Sequence, residues 1–215
     1  VYKNSKHYLI ETFYPGSNNH IQAKAKIDFN SKVWSIFCLP QDDGHLYPMQ
    51  YPMGPLLLYY TTLLSPSILI HASGIVDGEK GRLFTAFSGT GKSTMAGLWH
   101  SKGSSVINDD RLLLKIEDSG IKMFNTPMFY YDNIKSHPLN AIYLLKQTRE
   151  HTIKRLNNAE AVSRLMAFCI QHGYDKGFLE HHLMVVCRIF EQVPINELGF
   201  KLDADVIDFI KANDD

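Results

Sequence analysis

The stretch Thr85–Thr94, "TAFSGTGKST", decides how this chain is read. Gly89 and Gly91 precede a Lys92-Ser93 pair, and an apolar run, "RLFTAF" (82–87), leads into them. Aligned on Lys92, the string follows G-x-x-x-x-G-K-[ST], with Ala86 at the first glycine position. That departure adds only one methyl group. The residue types suit a polyphosphate. Glycines reach the backbone angles that close an amide-lined anion nest. The first amides of a following helix point the same way, and the helix dipole adds about half a positive charge. Lys92 supplies a mobile cation for β- and γ-phosphates, and Ser93 a hydroxyl for Mg²⁺. Ser88, Gly89, Thr90, Gly91, Lys92, Ser93 and Thr94 are the expected nucleotide-binding residues. The competing explanation is a glycine-rich turn that carries a lysine by chance; the strand before and the helix after argue against it.

Upstream, "SILIHASGIV" (67–76) reads as a buried strand, "DGEKG" (77–81) as a turn, and "RLFTAF" as the returning strand of a hairpin. A helix is expected from about Lys92 to Ser101, then a turn at Lys102-Gly103 and a strand "SSVIND". Asp109 follows Lys92 by 17 positions. A helix of about 10 residues carries the chain roughly 15 Å away. A strand of five or six residues brings it back about 17–20 Å. Asp109 and Asp110 should therefore return to the level of the loop, on the strand next to the first one, through a right-handed crossover. Adjacent residues on a regular strand face opposite sides. With a bend, one acid could bind Mg²⁺ and the other act as general base toward an acceptor hydroxyl. Without one, the second acid caps a turn or pairs with Arg111. His71 lies inside an apolar run and is either a hydrogen-bonded core histidine or a member of the site.

The rest of the chain frames this centre. Residues 1–65 read as a small β-rich N-terminal region and 66–215 as the nucleotide-binding domain. "AKAKIDF" (23–29) and "KVWSIFCL" (32–39) are strands, residues 41–55 a connector, and Leu56–Leu64 a short helix with Pro55 in its first turn. Residues 112–125 form a second hairpin and "AIYLLKQ" (141–147) a further strand. Residues 158–172 form a helix capped by Asn158, 176–192 another, 198–203 a strand and 203–214 a final helix. "MFYYDN" (128–133) is either core or a stacking surface. His181 and His182 point about 100° apart on a helix, so they do not share one metal ion.

Composition narrows the function classes. Lys plus Arg number 22 and Asp plus Glu 22, so no basic excess marks a nucleic-acid partner. Three widely spaced cysteines suit a reducing, cytoplasmic setting better than a disulfide framework. No secretory leader is expected in residues 1–10. The longest apolar run, "GPLLLYYTTLL" (54–64), is too short for a bilayer span, so no membrane partner is expected.

"HASGIV", "FSGTGKST" and "NDDR" occur in this order. The combination resembles the catalytic domain of the HPr serine kinase/phosphorylase family. The "SGTGKST" string is also similar to the nucleotide loop of ATP-dependent phosphoenolpyruvate carboxykinases, which share that core. The likeness covers roughly residues 66–210 and is closest to compact HPr-kinase-like proteins. It implies an α/β fold with a P-loop core, ATP and Mg²⁺ as cofactors, and a peptide or protein acceptor with a hydroxyl, serine above all. It further implies roles: Lys92 and Ser93 for phosphate and metal, Asp109 as base, Asp110 as metal-associated acid, His71 as the active-site histidine. The longer glycine-rich signature with a trailing arginine of full-length HPr kinases is absent, and residues 1–65 do not resemble their N-terminal domain. HPr itself is thus not the expected acceptor, and Arg155 is the candidate for the missing cation. A nucleotide-binding regulatory module without phosphotransfer is the alternative. Base preference and any homo-oligomer are left open by the sequence.

Overall fold

The computed structural model is mixed α/β and describes residues 1–3, 7–17, 20–127, 135–172 and 176–213; the aromatic stretch 128–133 lies outside them. The chain divides into two units, Val1–Leu64 and Ser65–Asp215.

The first unit is an antiparallel meander. Its strands are β1 (Tyr2–Lys3), β2 (His7–Phe13), β3 (Ile21–Asp28) and β4 (Val33–Cys38), paired in sequence order. Alternation decides the buried face: Ile10 on β2 and Ala25 and Ile27 on β3 point inward and are fully buried. Helix α1 (Met53–Thr61) continues into a 3₁₀ turn, Thr62–Leu64. The Tyr60 ring meets Tyr8 of β2 at 5.4 Å. The helix starts three residues before the expected Leu56, with Pro55 still in its first turn, where no proline N–H is needed.

The second unit holds one large mixed sheet with helices on both faces. In chain order it comprises β5 (Ser67–Asp77), β6 (Lys80–Thr85), α2 (Lys92–Ser101), β7 (Ser105–Asn108), β8 (Arg111–Glu117), β9 (Gly120–Asn125) and β10 (Ser136–Pro138). There follow β11 (Ala141–Gln147), β12 (Thr152–Arg155), α3 (Asn158–Met166), α4 (Lys176–Gln192), β13 (Ile195–Phe200) and α5 (Asp205–Ala212). The strand order is β10-β9-β8-β5-β6-β11-β13-β12, with β7 on β5. Helices α3 and α4 cover one face through Leu165, Val185, Val186 and Ile189. Helices α2 and α5 cover the other through Met95, Trp99, Val206 and Ile210. Each such side chain contributes roughly 1.5–3 kcal/mol by leaving water.

The expected side-by-side placement of the strand after α2 and the strand before the loop does not occur. Strand β7 is not the neighbour of β6. The β5–β6 hairpin forms first in sequence and places β5 on that side, so β7 pairs with β5 (Gly74↔Asn108). Two successive antiparallel pairings still leave β7 parallel to β6. The end of β7 therefore rises to the same edge as the end of β6, and β5 brings His71 to that edge.

Three element boundaries also shift for local reasons. Helix α3 is capped by Asn157 rather than Asn158, because the Glu160 amide donates to Asn157 Oδ1 at 3.1 Å. It ends at Met166 rather than 172, since the next residues pair with β5: the His71 amide donates to the Phe168 carbonyl, and the Ile170 amide to that of Leu69. The expected 198–203 strand runs from Ile195 to Phe200, in parallel register with β11.

His182 of α4 is buried, and burial, aided by His181, pushes its pKa from 6.5 to about 4. The unfolded chain then binds a proton that the folded chain refuses between those values. Stability is complete above pH 6.5 and falls as pH drops toward 4. Chemical denaturation across that window should show this acid limb in the wild type and a flatter one in His182→Gln.

Candidate functional site

Helix α2 fixes the glycine loop. Its inner face buries Met95, Ala96 and Trp99 against Phe84 of β6 and Tyr143 of β11. The Arg82 guanidinium and Lys211 Nζ lie 4.9 Å and 5.4 Å from the Trp99 ring, and both reach Asp77 Oδ2. The helix N-terminus is therefore rigidly aimed. Gly91 is its N-cap, at φ 116°, and Gly89 sits at φ 78°. Both are conformations that favour glycine. The first amides of α2, from Lys92 onward, have no acceptor within the helix. On the far flank, Gln147 Nε2 donates to the Thr90 carbonyl at 3.1 Å, tying the loop to the end of β11.

A methyl group at Gly91 would lie 3.1 Å from Phe200 Cζ and would force an unfavourable φ. Gly91→Ala should cost roughly 1–3 kcal/mol. Gly97, exposed on α2 with nothing within 4 Å of a built Cβ, is the control. Gly97→Ala should gain about 0.5–1 kcal/mol from helix propensity. Melting temperatures of the two variants should move in opposite directions.

Lys92 is the buried centre of the loop, 6% exposed. Its Nζ donates to the carbonyls of Ala86 at 2.9 Å and Phe87 at 3.2 Å. Burial holds its pKa below that of an ordinary lysine, and the negative charge of Asp110 acts in the opposite sense. Ser93 and Thr94, in the first turn, are exposed. Phe87 is exposed too, and its ring edge meets Phe168 at 5.1 Å.

Across from the loop, the chain bends at Asp109-Asp110 between β7 and β8. The bend lets consecutive carboxylates border one cleft. His71 Nδ1 lies 2.7 Å from the Asp110 carbonyl and 3.3 Å from Asp110 Oδ1. A carbonyl only accepts, so Nδ1 carries the proton and Nε2 is the acceptor of the neutral ring. Asp110 Oδ2 is 3.4 Å from Arg111 Nε. Among the described residues, no hydrogen bond or ion pair engages the Asp109 carboxylate.

These parts surround one cleft of about 360 Å³, lined by His71, Ser88, Gly89, Gly91, Lys92, Ser93, Thr94, Asp109 and Asp110. Of the residues expected from the sequence, Thr90 and Arg155 are not part of the lining; the Thr90 carbonyl faces Gln147. Arg155 lies on edge strand β12, paired with Asn196 near the start of β13, whereas the loop sits at the ends of β6 and β11. A larger cleft, about 640 Å³, occurs in the first unit between Gln41 and Gln50. Its charged lining is Asp42 and Asp43 alone, which repels phosphate. Among the described residues, no three His, Cys, Asp or Glu side chains converge as metal donors. A divalent cation at the loop would thus depend on phosphate oxygens for part of its shell, which is usual for Mg²⁺. Sequence reasoning missed Asn108 and Thr126, two buried side chains beneath the bend.

No family model matches the chain, and no curated protein matches it. Among solved structures it is similar to the Hpr(Ser) kinase/phosphatase from Coxiella burnetii, at 11% identity and a TM-score of 0.40. The match covers 67% of this chain and 97% of that one. A superposition that loose transfers no residue role. Among the described residues, no helix is long and apolar enough to cross a membrane.

Proposed function

We infer that the chain is a Mg²⁺-dependent phosphotransferase that moves the γ-phosphoryl group of ATP to a hydroxyl of a peptide or protein. One observation carries this reading. A buried lysine, glycine-rich backbone, a helix N-terminus and two adjacent carboxylates border a single cleft. The positive elements suit a polyphosphate, and the acids suit its metal and an attacking hydroxyl. The serine-type acceptor follows from the resemblance of the His71, loop and Asp-Asp order to HPr-kinase-like proteins.

Roles follow from the chemistry of each group and its place on the cleft. The loop amides of 88–94 and Lys92 hold the β- and γ-phosphates. Ser93 Oγ and Asp110 would hold a divalent cation, which would neutralise charge on the phosphate oxygens. Asp109, whose carboxylate is uncommitted among the described residues, takes the proton from the acceptor hydroxyl. The acceptor oxygen bonds to the γ-phosphorus, the bond to the bridging oxygen breaks, and ADP leaves. His71 steadies Asp110 through its Nδ1–H, with Nε2 as acceptor.

The test is incubation of the full chain with γ-labelled ATP, Mg²⁺ and serine-containing peptides, including those encoded beside its gene. Label on a peptide, lost when its serine is replaced by alanine, is the expected result. Tight ATP binding with neither transfer nor hydrolysis would replace this reading with that of a regulatory nucleotide-binding module.

A further inference from the structure

Two neighbouring residues on a regular strand cannot present both carboxylates to one cleft. The chain solves this with a side chain that touches neither phosphate loop nor lysine. Asn108, the last residue of β7, is fully buried. Its Oδ1 accepts from the amides of Asp110 at 2.8 Å and Arg111 at 3.0 Å. Both donors are backbone N–H groups, so the amide orientation is fixed and Nδ2 must face the other way. There it donates to Asn125 Oδ1 at 2.8 Å and to Thr126 Oγ1 at 3.3 Å. Thr126 in turn donates to the Arg111 carbonyl at 3.1 Å. From the other side, the Ala72 amide and the His71 ring reach the Asp110 carbonyl at 3.1 and 2.7 Å.

We propose that Asn108 is a positioning residue whose side chain turns the backbone at Asp109-Asp110, making two successive acids act on one metal-nucleotide complex. The turn is an Asx type, in which a side-chain carbonyl replaces a main-chain acceptor two residues before the second acid. The half-buried Asn125 and the buried Thr126 stop Asn108 from rotating away. This inference rests on the phosphotransferase reading for its metal role, whereas the turn itself does not depend on that reading.

Two readouts separate the levels. The first is amide hydrogen exchange in the ligand-free chain. In Asn108→Ala, protection at the Asp110 and Arg111 amides should be lost while that of Ile75 and Leu83 on β5 and β6 persists. In Asn108→Ser, whose hydroxyl can accept in an equivalent turn, it should be partly restored. The second is the tightening of a non-hydrolysable ATP analogue by Mg²⁺. Loss of an outer-shell support should weaken that linkage by about 10- to 100-fold in Asn108→Ala, with metal-free analogue affinity unchanged. Asn108→Ser should recover part of it. A merely structural role would lower both affinities together or neither. Asn108→Ala with full Mg²⁺ linkage overturns the proposal while leaving the phosphotransferase reading intact. A wild-type chain that binds no analogue overturns that reading and the metal role of the turn with it.

Discussion

Lys92→Met should lower nucleotide affinity by about 10- to 150-fold, since a charge-assisted hydrogen bond is worth roughly 1.5–3 kcal/mol. Turnover should fall by about a further 10²–10³-fold, because the same cation faces charge that builds on the phosphates during transfer. In the ligand-free chain the ammonium is satisfied by the Ala86 and Phe87 carbonyls, so phosphate binding exchanges two neutral acceptors for anionic ones. Methionine retains the buried aliphatic stem and keeps the fold. A pH signature accompanies this. Burial lowers the Lys92 pKa, and bound phosphate would raise it again. Nucleotide binding should therefore take up a proton at alkaline pH, and affinity should fall as pH rises through the lowered value. Calorimetry in buffers of different ionisation enthalpy measures this uptake. If Lys92→Met binds and transfers like the wild type, the loop is not the nucleotide site.

Asp109→Asn should bind Mg-ATP normally and lose about 10²–10⁴-fold in transfer, the usual contribution of a positioned base. Asp110→Asn should differ in kind, raising the Mg²⁺ concentration needed for half-maximal rate. The contrast follows from their contacts. Asp110 is held by His71 and Arg111, at 3.3 and 3.4 Å, which suits a fixed metal ligand. Among the described residues Asp109 is uncommitted, which suits a group that must gain and release a proton. Single-turnover rates against Mg²⁺ and pH distinguish the two. Equal loss in both variants with unchanged Mg²⁺ dependence would exchange or dissolve these roles.

The centre of the fold was readable because the glycine loop forces its surroundings: a strand must enter it and a helix must leave it. The hairpin of β5 and β6 was equally plain from its turn residues at 77–81. The position of β7 was not, because adjacency is the ordinary outcome for a strand–helix–strand unit. Nothing local in "SSVIND" announces pairing with the long β5 instead. The end of α3 was misplaced because Phe168 and Cys169 continue its apolar spacing, although their burial comes from pairing with β5 beyond the helix. Of the side chains that line the candidate cleft, Lys92, Ser93, Asp109, Asp110 and His71 stand out in the sequence by residue type. Asn108 does not, although Asn-Asp-Asp after a strand carries the chemistry of an Asx turn. Its hydrogen-bond partners come from residues 125 and 126, which only the β8–β9 hairpin brings alongside.

Phosphotransfer at this cleft requires loop amides that close around a polyphosphate opposite the paired acids. Backbone amide chemical shifts, followed by NMR as a Mg²⁺-loaded non-hydrolysable ATP analogue is added, address this residue by residue. Large saturable shifts at Ser88–Thr94, joined by Asp109–Arg111 only when Mg²⁺ is present, are the predicted result. Shifts confined to other residues, or none at millimolar analogue, would contradict it.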